Sequence, residues 1–397
     1  MSWHQSPLLN AARSATFIAG DTLSRKRVHN RNEVPGSVRA ITPAWWTSVL
    51  CRDHPEAEVT DAQILDASSG THQRHRFAIE YNAAGTDADL PRSVFTKTLP
   101  SVMNRMMGGF NGTSYAEGRF LTELRPALHI ECPLGYHAAL DRRTYAAINV
   151  LEDLVATKQA NFCDAQTAIS RAQAEQMVDL LATLHAHRYK DARLQTECRW
   201  IPNFYDWFSV GSRKMRTEHY TQQALDQAAD IIPATLLRDR RKLWPATVAA
   251  ADVHRSGDIG LLHSDVHVGN WYQTGDGRMG LCDWQCLTRG HWSRDLAYVL
   301  AAGLTTDDRR AWEQPLLQRY LAKLASLTNT PFEWDKAWHH YRTQMLHALW
   351  MWTITLCHSP LLPAMQTDAT SRAMIARISQ AADDLDSINS ALGGSQA

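Results

Sequence analysis

The chain has 397 residues, of which 44% are hydrophobic and 21% are charged, a balance typical of a folded protein. Lys plus Arg total 41, as do Asp plus Glu, so no global positive field exists to attract a nucleic acid. The seven cysteines include no CxxC motif. No apolar stretch is long enough to span a membrane, and the amino terminus lacks a secretory pattern. We therefore expect a cytoplasmic protein with no membrane span and no nucleic-acid partner.

The first half of the sequence predicts one helix followed by strands. Residues 1–41 are polar and predict an N-terminal extension, either flexible or packed on the folded body. Thr42 and Pro43 are residue types that cap a helix and occupy its first position. Apolar runs bounded by Gly, Asp and Ser predict an antiparallel sheet. Its strands are Val59–Asp66, Arg74–Tyr81 and Arg92–Leu99, with a turn at Ser68–Gly70 and a loop at Gly85–Asp87.

Two capping boxes predict the starts of further helices. Ser114 with Glu117 and Ser170 with Gln173 both have the S-x-x-E/Q form, and apolar residues at helical spacing follow each. Between them, Ala146–Leu151 predicts another strand. The rest of the chain is mainly helical in pattern. The exceptions are three short strand candidates, Leu261–His263, Asn270–Gln273 and Met279–Cys282.

These elements predict an α+β fold with a small sheet-bearing part and a larger, mainly helical part. We place the extension at residues 1–41, the sheet-bearing part at 42–154 and the helical part at 155–397.

The segment HSDVHVGN, from His263 to Asn270, combines an H-x-D motif with an asparagine, and Asp283 lies at the end of the predicted strand Met279–Cys282. This set suits phosphoryl transfer, which needs a positioned acceptor hydroxyl and cations that neutralise phosphate oxygens. Asp265 would accept the hydroxyl proton, and His263 would brace the loop. Asn270 and Asp283 offer oxygen atoms suited to Mg²⁺.

The first half of the chain offers groups that would bind the phosphates of ATP. Lys97 lies on the third predicted strand, and Glu117 on the following helix would pair with it. The backbone N–H groups of Ser69, Gly70 and Thr71 would cover the phosphates, because glycine permits close approach.

In this order the motifs resemble the aminoglycoside phosphotransferase and choline kinase superfamily, and most of all its ecdysteroid-kinase-like branch. The matching pieces, from about residue 42 to residue 304, are SSGTHQRHRF, VFTK, EGRFLTEL, NVLEDL, LATLHA, HSDVHVGN, LCDWQ and RDLAYVL. The resemblance implies a bilobal protein-kinase-like fold with ATP in the cleft. The adenine would lie against a hinge of Leu151, Glu152 and Asp153. The family usually has glycine where this chain has Ser264.

The resemblance also implies roles for individual residues. Asp265 would be the catalytic base, and Lys97 would hold phosphates. Asn270 and Asp283 would bind Mg²⁺, and Asp295 would brace the catalytic loop. Together these roles describe an ATP- and Mg²⁺-dependent kinase that phosphorylates a hydroxyl group of a small molecule.

Other interpretations stay open for several of these residues. Asp265, Asn270 and Asp283 are also common turn residues, and Lys97 would equally suit a solvated strand. Glu117 would act only as a helix cap if Glu123 paired with the lysine instead.

Two other functions would use the same sequence. His263, Asp265 and His267 form an H-x-D-x-H string that would hold zinc or iron in a metal-dependent hydrolase. A pseudokinase would bind nucleotide without turnover.

An aromatic stripe bears on the acceptor. It is formed by Trp334, Trp338, Tyr341, Met345 and Trp352, which recur at helical spacing. Core packing is the first interpretation of this stripe, and also of His185 and of the cluster of Trp200, Phe204, Trp207 and Phe208. A substrate wall that includes His267 and the stripe is the alternative. Because few carboxylates accompany the stripe, we expect a lipophilic alcohol rather than a polycationic aminoglycoside.

Overall fold

The structure is a computed structural model that describes residues 16–21, 26–69, 73–99, 101–111, 113–255, 257–359 and 364–393. The chain divides into a first unit, Met1–Ala127 and Pro133–Ala160, and a second unit, Leu128–Cys132 and Asn161–Ala397. We predicted the division after residue 154, and the units divide six residues later. Antiparallel strands dominate the first unit and helices the second, so the predicted α+β class is confirmed.

The first unit contains one five-stranded antiparallel sheet. Its strands are β1 (Val59–Ser69), β2 (Gln73–Tyr81), β3 (Ser93–Thr98), β4 (Gly135–Leu140) and β5 (Ala147–Glu152). Their order across the sheet is β1-β2-β3-β5-β4. Its helices are α1 (Pro43–Leu50), α2 (Ala83–Asp87), α3 (Val102–Asn111), α4 (Thr113–Arg119) and α5 (Leu154–Lys158).

Helix α1 and the N-terminal segment pack on this sheet. The Thr42 side chain accepts a hydrogen bond from the Trp45 backbone N–H, which confirms the predicted cap. Trp45 lies in the same buried cluster as Val28 and Val38. Its indole N–H donates to the Glu33 carbonyl over 3.0 Å. The described part of the predicted extension is therefore packed on the body.

Three local predictions in this unit are wrong. Strand β1 runs through Ser69 instead of turning at Ser68, and the predicted loop at Gly85–Asp87 is helix α2, capped by Asn82. Ser114 does not open a helix, because α3 precedes it and α4 begins at Thr113. Glycines in α3 lower its helix propensity, but an ion pair between the buried Arg105 and the partly exposed Asp21, 2.7 Å apart, anchors the helix.

The second unit contains short strands among many helices. Its strands are β6 (Asn161–Phe162), β7 (Ile259–Leu262), β8 (Trp271–Gln273), β9 (Met279–Leu281) and β10 (Thr288–His291). Its helices up to strand β7 are α6 (Arg171–Ala186), α7 (Arg193–Thr196), α8 (Phe204–Lys214), α9 (Thr217–Gln227), α10 (Ala234–Arg238) and α11 (Arg240–Ala250). The remaining helices are α12 (Ser293–Gly303), α13 (Thr306–Thr328), α14 (Trp334–Leu356), α15 (Asp368–Asp384) and α16 (Ser387–Gly393).

Antiparallel strand pairs and one fully buried helix organise the second unit. Strands β8 and β9 form the predicted hairpin, and β7 pairs with β10. Every residue of α12 is buried, so this helix is the centre of the unit. The predicted capping box of Ser170 and Gln173 is present at the start of α6. In the part of the chain that the structure describes, no helix combines the length and apolarity needed to cross a membrane.

Three histidines of the second unit are buried in one network. The Gln344 side-chain oxygen lies 3.2 Å from His254 Nε2 and 2.7 Å from His347 Nδ1, and the His291 backbone N–H donates to His254 Nδ1 over 3.0 Å. Burial, with smaller effects of neighbouring cationic groups, lowers the pKa of His254 and His291 far below the ordinary value and that of His347 to about 3. The folded protein therefore keeps these rings neutral near pH 6.

This network predicts a pH dependence of stability. Unfolded histidines bind protons below a pKa of about 6.5, so the free energy of unfolding should fall as the pH falls below that value. Each ring should contribute up to about 2 kcal/mol between pH 6.5 and pH 5. Urea unfolding at these pH values measures the effect. His347→Gln should reduce the slope, whereas His219→Gln, at an exposed position, should not. A flat pH profile would contradict the prediction.

Candidate functional site

Lys97 and Glu117 form a buried ion pair in the first unit. The Lys97 Nζ lies 2.7 Å from the Glu117 Oε1, and both side chains are buried. The Asn149 Nδ2 on β5 donates to the Glu117 Oε2 over 3.3 Å. Because pairing and hydrogen bonding offset the cost of burying charge, each group holds the other in place. The expected pairing is present, and the interpretation of Glu117 as a cap only is wrong.

Gly118 allows α4 to approach the sheet closely enough for this pair. A Cβ atom at Gly118 would lie 2.4 Å from the Ala138 Cβ and 2.6 Å from the Asn149 Oδ1. A larger residue would therefore push α4 away from β4 and β5. Since Glu117 is the preceding residue, this glycine fixes how far the Glu117 carboxylate reaches.

The three predicted hinge residues are buried at the end of β5. Leu151 and Glu152 still pair with the neighbouring strand β3. The Glu152 Oε2 lies 3.3 Å from the Lys158 Nζ, and the Asp153 Oδ2 accepts a hydrogen bond from Arg76 over 3.0 Å. These two carboxylates thus stabilise the strand end. The contact of all three residues with adenine stays a prediction.

Little of the predicted phosphate loop lies within the described residues. Ser69 ends strand β1. Gly70 and Thr71 lie outside the described residues. The role of this loop in covering phosphates therefore stays a prediction.

In the second unit, the Asp295 carboxylate on α12 holds the loop that follows β7. Its Oδ2 accepts from the His263 backbone N–H over 2.7 Å, and its Oδ1 accepts from the Ser264 N–H over 3.1 Å. The His185 Nε2 lies 3.3 Å from Oδ2. Burial raises the pKa of Asp295, but the contact with His185 and the Arg294 charge outweigh burial and lower it. The carboxylate is therefore ionised and accepts several hydrogen bonds.

His263 is fully buried and uses both ring nitrogens. Its Nε2 lies 3.0 Å from the Cys282 carbonyl oxygen and must carry the proton, while its Nδ1 accepts from the Asp265 backbone N–H over 3.2 Å. Burial lowers the pKa of His263, which favours this neutral ring. The ring thus ties the loop to the end of β9, as a brace would.

The H-x-D-x-H string does not form a metal site. A histidine ligand needs a lone pair for the metal, and both nitrogens of His263 are already engaged. The His267 Nδ1 accepts from the Gly269 N–H over 3.1 Å. Among the described residues, no group of three or more His, Cys, Asp or Glu is arranged to hold a metal. The geometry therefore opposes the metal-dependent hydrolase.

Ser264 adopts a left-handed backbone conformation, with φ of 69°. This region costs a residue with a side chain roughly 1–2 kcal/mol, and glycine avoids the cost. Hydrogen bonds hold the conformation: the Arg294 Nη1 donates to the Ser264 carbonyl over 2.7 Å, and the Ser264 Oγ lies 2.5 Å from the Thr288 Oγ1. Ser264 therefore adopts a backbone conformation that glycine would adopt without strain, and these hydrogen bonds hold it there.

Asp265 and Asn270 contact each other at the two ends of the loop. The Asn270 Nδ2 donates to the Asp265 carbonyl over 2.7 Å and to the Asp265 Oδ2 over 3.3 Å. The Tyr298 hydroxyl donates to the Asp265 Oδ1 over 3.4 Å. The Asp265 side chain still exposes 16% of its surface. The Asp265 side chain is therefore accessible to solvent.

Asn270 and Asp283 have the donor atoms of a magnesium site. The backbone carbonyl of Asn270 accepts a hydrogen bond from the backbone N–H of Cys282 over 2.9 Å, and Cys282 directly precedes Asp283. The side-chain amide nitrogen of Asn270 faces Asp265, so the side-chain amide oxygen of Asn270 faces away from Asp265. Asp283 is half-buried and has a φ of 65°, a strained conformation common at functional sites. An amide oxygen and a carboxylate oxygen are the hard ligands that Mg²⁺ prefers, so these residues fit the ion.

Helix α14 carries the aromatic stripe away from Asp265. Trp352 lies beside His267, with ring centroids 5.4 Å apart. Trp334 begins the same helix, about 27 Å away at the usual helical rise, and stacks on Trp338. Tyr341 is fully buried and donates to Glu313 over 3.1 Å. The structure brings Trp352 and His267 to the site but not Trp334, Trp338 or Tyr341.

Tyr298, Arg294 and Thr288 also support the loop, although the sequence patterns predicted no role for them. One signal was present: Tyr298 follows Asp295 by three residues, so a helix would place both on one face. Thr288 carried no such signal, because its contact with Ser264 depends on the pairing of β10 with β7. His185 was predicted as a packed, hydrogen-bonded residue, and it is buried between Tyr320 and Asp295.

The conformation of Ser264 leads to a testable prediction. Ser264→Ala should lower the free energy of unfolding by about 1–2 kcal/mol, because it removes the hydrogen bond with Thr288 and keeps the strain. Ser264→Gly loses the same bond but relieves the strain, so it should be more stable than the alanine variant by roughly 1 kcal/mol. Urea unfolding compares the two variants, and equal stability would argue against strain at this position.

Comparisons with known proteins found several similar solved structures. Among solved structures, the chain is similar to a choline kinase of Streptococcus pneumoniae (14% identity over 83% of this chain and 94% of the other, TM-score 0.42). It is also similar to a macrolide 2'-phosphotransferase of Brachybacterium faecium (14% identity, 83% and 96% covered, TM-score 0.46). A third is aminoglycoside 2'-phosphotransferase-IIIa bound to GDP (11% identity, 85% and 98%, TM-score 0.49). The comparison with curated protein sequences found no match.

A comparison with protein-family models identifies the family of this chain. The phosphotransferase enzyme family matches residues 112–337, which is more than half of the 397-residue chain. The matched segment contains Glu117, Asp265, Asn270 and Asp283, and it begins after Lys97. The chain therefore belongs to the phosphotransferase enzyme family.

Proposed function

We propose that the protein transfers the γ-phosphoryl group of ATP to a hydroxyl group of a small, lipophilic molecule. The observation that carries the proposal is the loop after β7, which holds Asp265 beside Asn270, while the backbone of Asn270 pairs with Cys282, the residue before Asp283. A base and two oxygen ligands for a cation are the groups that phosphoryl transfer requires. Membership of the phosphotransferase family supports the reaction class.

In the proposed reaction, Asp265 orients the acceptor hydroxyl and takes its proton as the hydroxyl oxygen bonds to the γ-phosphorus. The bond between the γ-phosphorus and the bridging oxygen breaks, and ADP leaves with that oxygen. Lys97, held by Glu117, would bind phosphate oxygens of ATP. Asn270 and Asp283 would hold a magnesium ion, which would neutralise charge on the phosphates.

The charges of the second unit support a lipophilic acceptor. A polycationic acceptor needs carboxylates that face it, and in the second unit Asp226 and Asp230 lie on and just after helix α9. Each instead lies 2.5 Å from an arginine, Asp226 from Arg240 and Asp230 from Arg372. The buried ring of Trp352 lies beside the loop, against His267. This surrounding favours an apolar or flat alcohol.

A pooled library tests the reaction and the acceptor together. Lipophilic alcohols, choline, sugars and aminoglycosides are incubated with protein, ATP and magnesium, and phosphorylated products are detected by mass spectrometry. A lipophilic product that needs active protein would support the proposal. A polar product would refute the proposed acceptor class, and no ADP formation with any compound would favour the pseudokinase.

Asp265→Asn should reduce turnover by at least about a hundredfold, because the acceptor hydroxyl loses its base. Binding of ATP with magnesium, measured by calorimetry, should stay within about twofold of the original affinity. Asp276→Asn is the matched control, since Asp276 lies in the exposed turn of the β8–β9 hairpin and pairs with Arg278. Full activity of the Asp265 variant would exclude it as the base.

Asp283→Asn should weaken the magnesium dependence of ATP binding, because the ion loses a charged ligand. We expect the magnesium concentration at half-maximal ATP binding to rise about tenfold. Titration of magnesium at fixed ATP, followed by calorimetry, measures this value. Asp276→Asn again serves as control, and an unchanged titration would assign the magnesium to other residues.

A further inference from the structure

The Asp265 carboxylate receives a hydrogen bond from outside its own loop. The Tyr298 hydroxyl on α12 donates to the Asp265 Oδ1 over 3.4 Å, and only 2% of Tyr298 is exposed. The other described contacts of this carboxylate come from the loop itself. They are the Asn270 Nδ2 at 3.3 Å and the His267 Nε2 at 3.8 Å from Oδ2. Tyr298 therefore ties the side chain of Asp265 to the central helix.

Helix α12 holds both the backbone and the side chain of the loop. Asp295 and Tyr298 are three residues apart, so they share one face of α12. Asp295 accepts the backbone N–H groups of His263 and Ser264. Tyr298 contacts the carboxylate of the next residue, Asp265. The backbone and the proposed base are thus fixed to the same rigid element.

The surroundings of Tyr298 keep its hydroxyl a donor. Burial, and the nearby Asp265 carboxylate, raise the pKa of Tyr298 well above its ordinary value. A neutral phenol next to a carboxylate donates its proton to the hydrogen bond. Trp352, also buried, packs at the same place against His267. The hydroxyl is therefore shielded from water.

We infer that Tyr298 is a positioning residue that orients the Asp265 carboxylate toward the acceptor hydroxyl, an inference that rests on the proposed function. The hydrogen bond to Oδ1 limits rotation of the carboxylate, and the contact with Asn270 limits it from the other side. A carboxylate held in this way keeps its remaining lone pairs in one direction. This orientation serves the transfer step and contributes nothing to the binding of ATP.

Tyr298→Phe tests the inference, because it removes one oxygen atom and keeps the ring. The kcat should fall about tenfold, since small misplacement of a base slows transfer, while the KM for ATP should stay unchanged. The assay measures ADP release from ATP and magnesium, with the alcohol found in the library and, in parallel, with water alone as acceptor. Thermal unfolding of the variant is recorded alongside.

Tyr341→Phe is the matched control, since its hydroxyl is equally buried and donates to Glu313 over 3.1 Å, away from the loop. It should lower stability and keep kcat. An unchanged kcat in Tyr298→Phe, or the same loss of kcat in both variants, would overturn the inference.

A double variant separates positioning from a general effect. In an Asp265→Asn background, Tyr298→Phe should lower the residual rate no further, because Tyr298 acts through Asp265. An additional tenfold loss would overturn the inference and leave the proposed reaction intact. Absence of ADP formation by the unaltered protein would instead remove the proposed function.

Discussion

The buried carboxylate of Asp295 is the group on which the second unit's chemistry depends. It accepts hydrogen bonds from two consecutive backbone N–H groups and lies against His185. Those bonds offset the strain of Ser264, whose φ of 69° turns the chain so that Asp265 and Asn270 meet. Because an unpaired buried carboxylate is costly, the carboxylate and the loop stabilise one another. The proposed base is therefore placed by the core of the unit and not by a mobile surface loop.

In the first unit, a buried ion pair holds the charged side chain of Lys97 in place. The Lys97–Glu117 pair is buried, so its geometry depends on how closely α4 approaches the sheet. Gly118 sets that distance, because a side chain there would collide with Ala138 and Asn149. In the first unit a charged group that would bind ligand is held by a buried group of opposite charge, and in the second unit the Asp265 carboxylate is held by the side chains of Asn270 and Tyr298. Such pre-organisation reduces the reordering that a bound nucleotide would require.

Long-period patterns predicted several elements correctly, whereas short-range signals failed where tertiary contacts decided. The strands β1, β2, β3 and β5 and the helices α1 and α6 were predicted within a few residues, because their apolar periodicity is strong. The S-x-x-E signal at Ser114 was misleading, since a helix stabilised by the Arg105–Asp21 ion pair precedes it. Strand β4 was missed because its residues are all only partly buried and show no alternation.

The sequence by itself predicted the reaction class, because HSDVHVGN, Asp283 and Lys97 supply the groups that phosphoryl transfer requires, although the H-x-D-x-H string left a metal-dependent hydrolase open. The sequence also predicted the pairing of Lys97 with Glu117. Only the tertiary structure decided that both nitrogens of His263 are engaged, that Trp352 and not Trp334 lies near Asp265, and that Tyr298 contacts the carboxylate. These facts depend on which faces of distant elements meet, and side-chain contacts between distant elements leave no periodic trace in a single sequence.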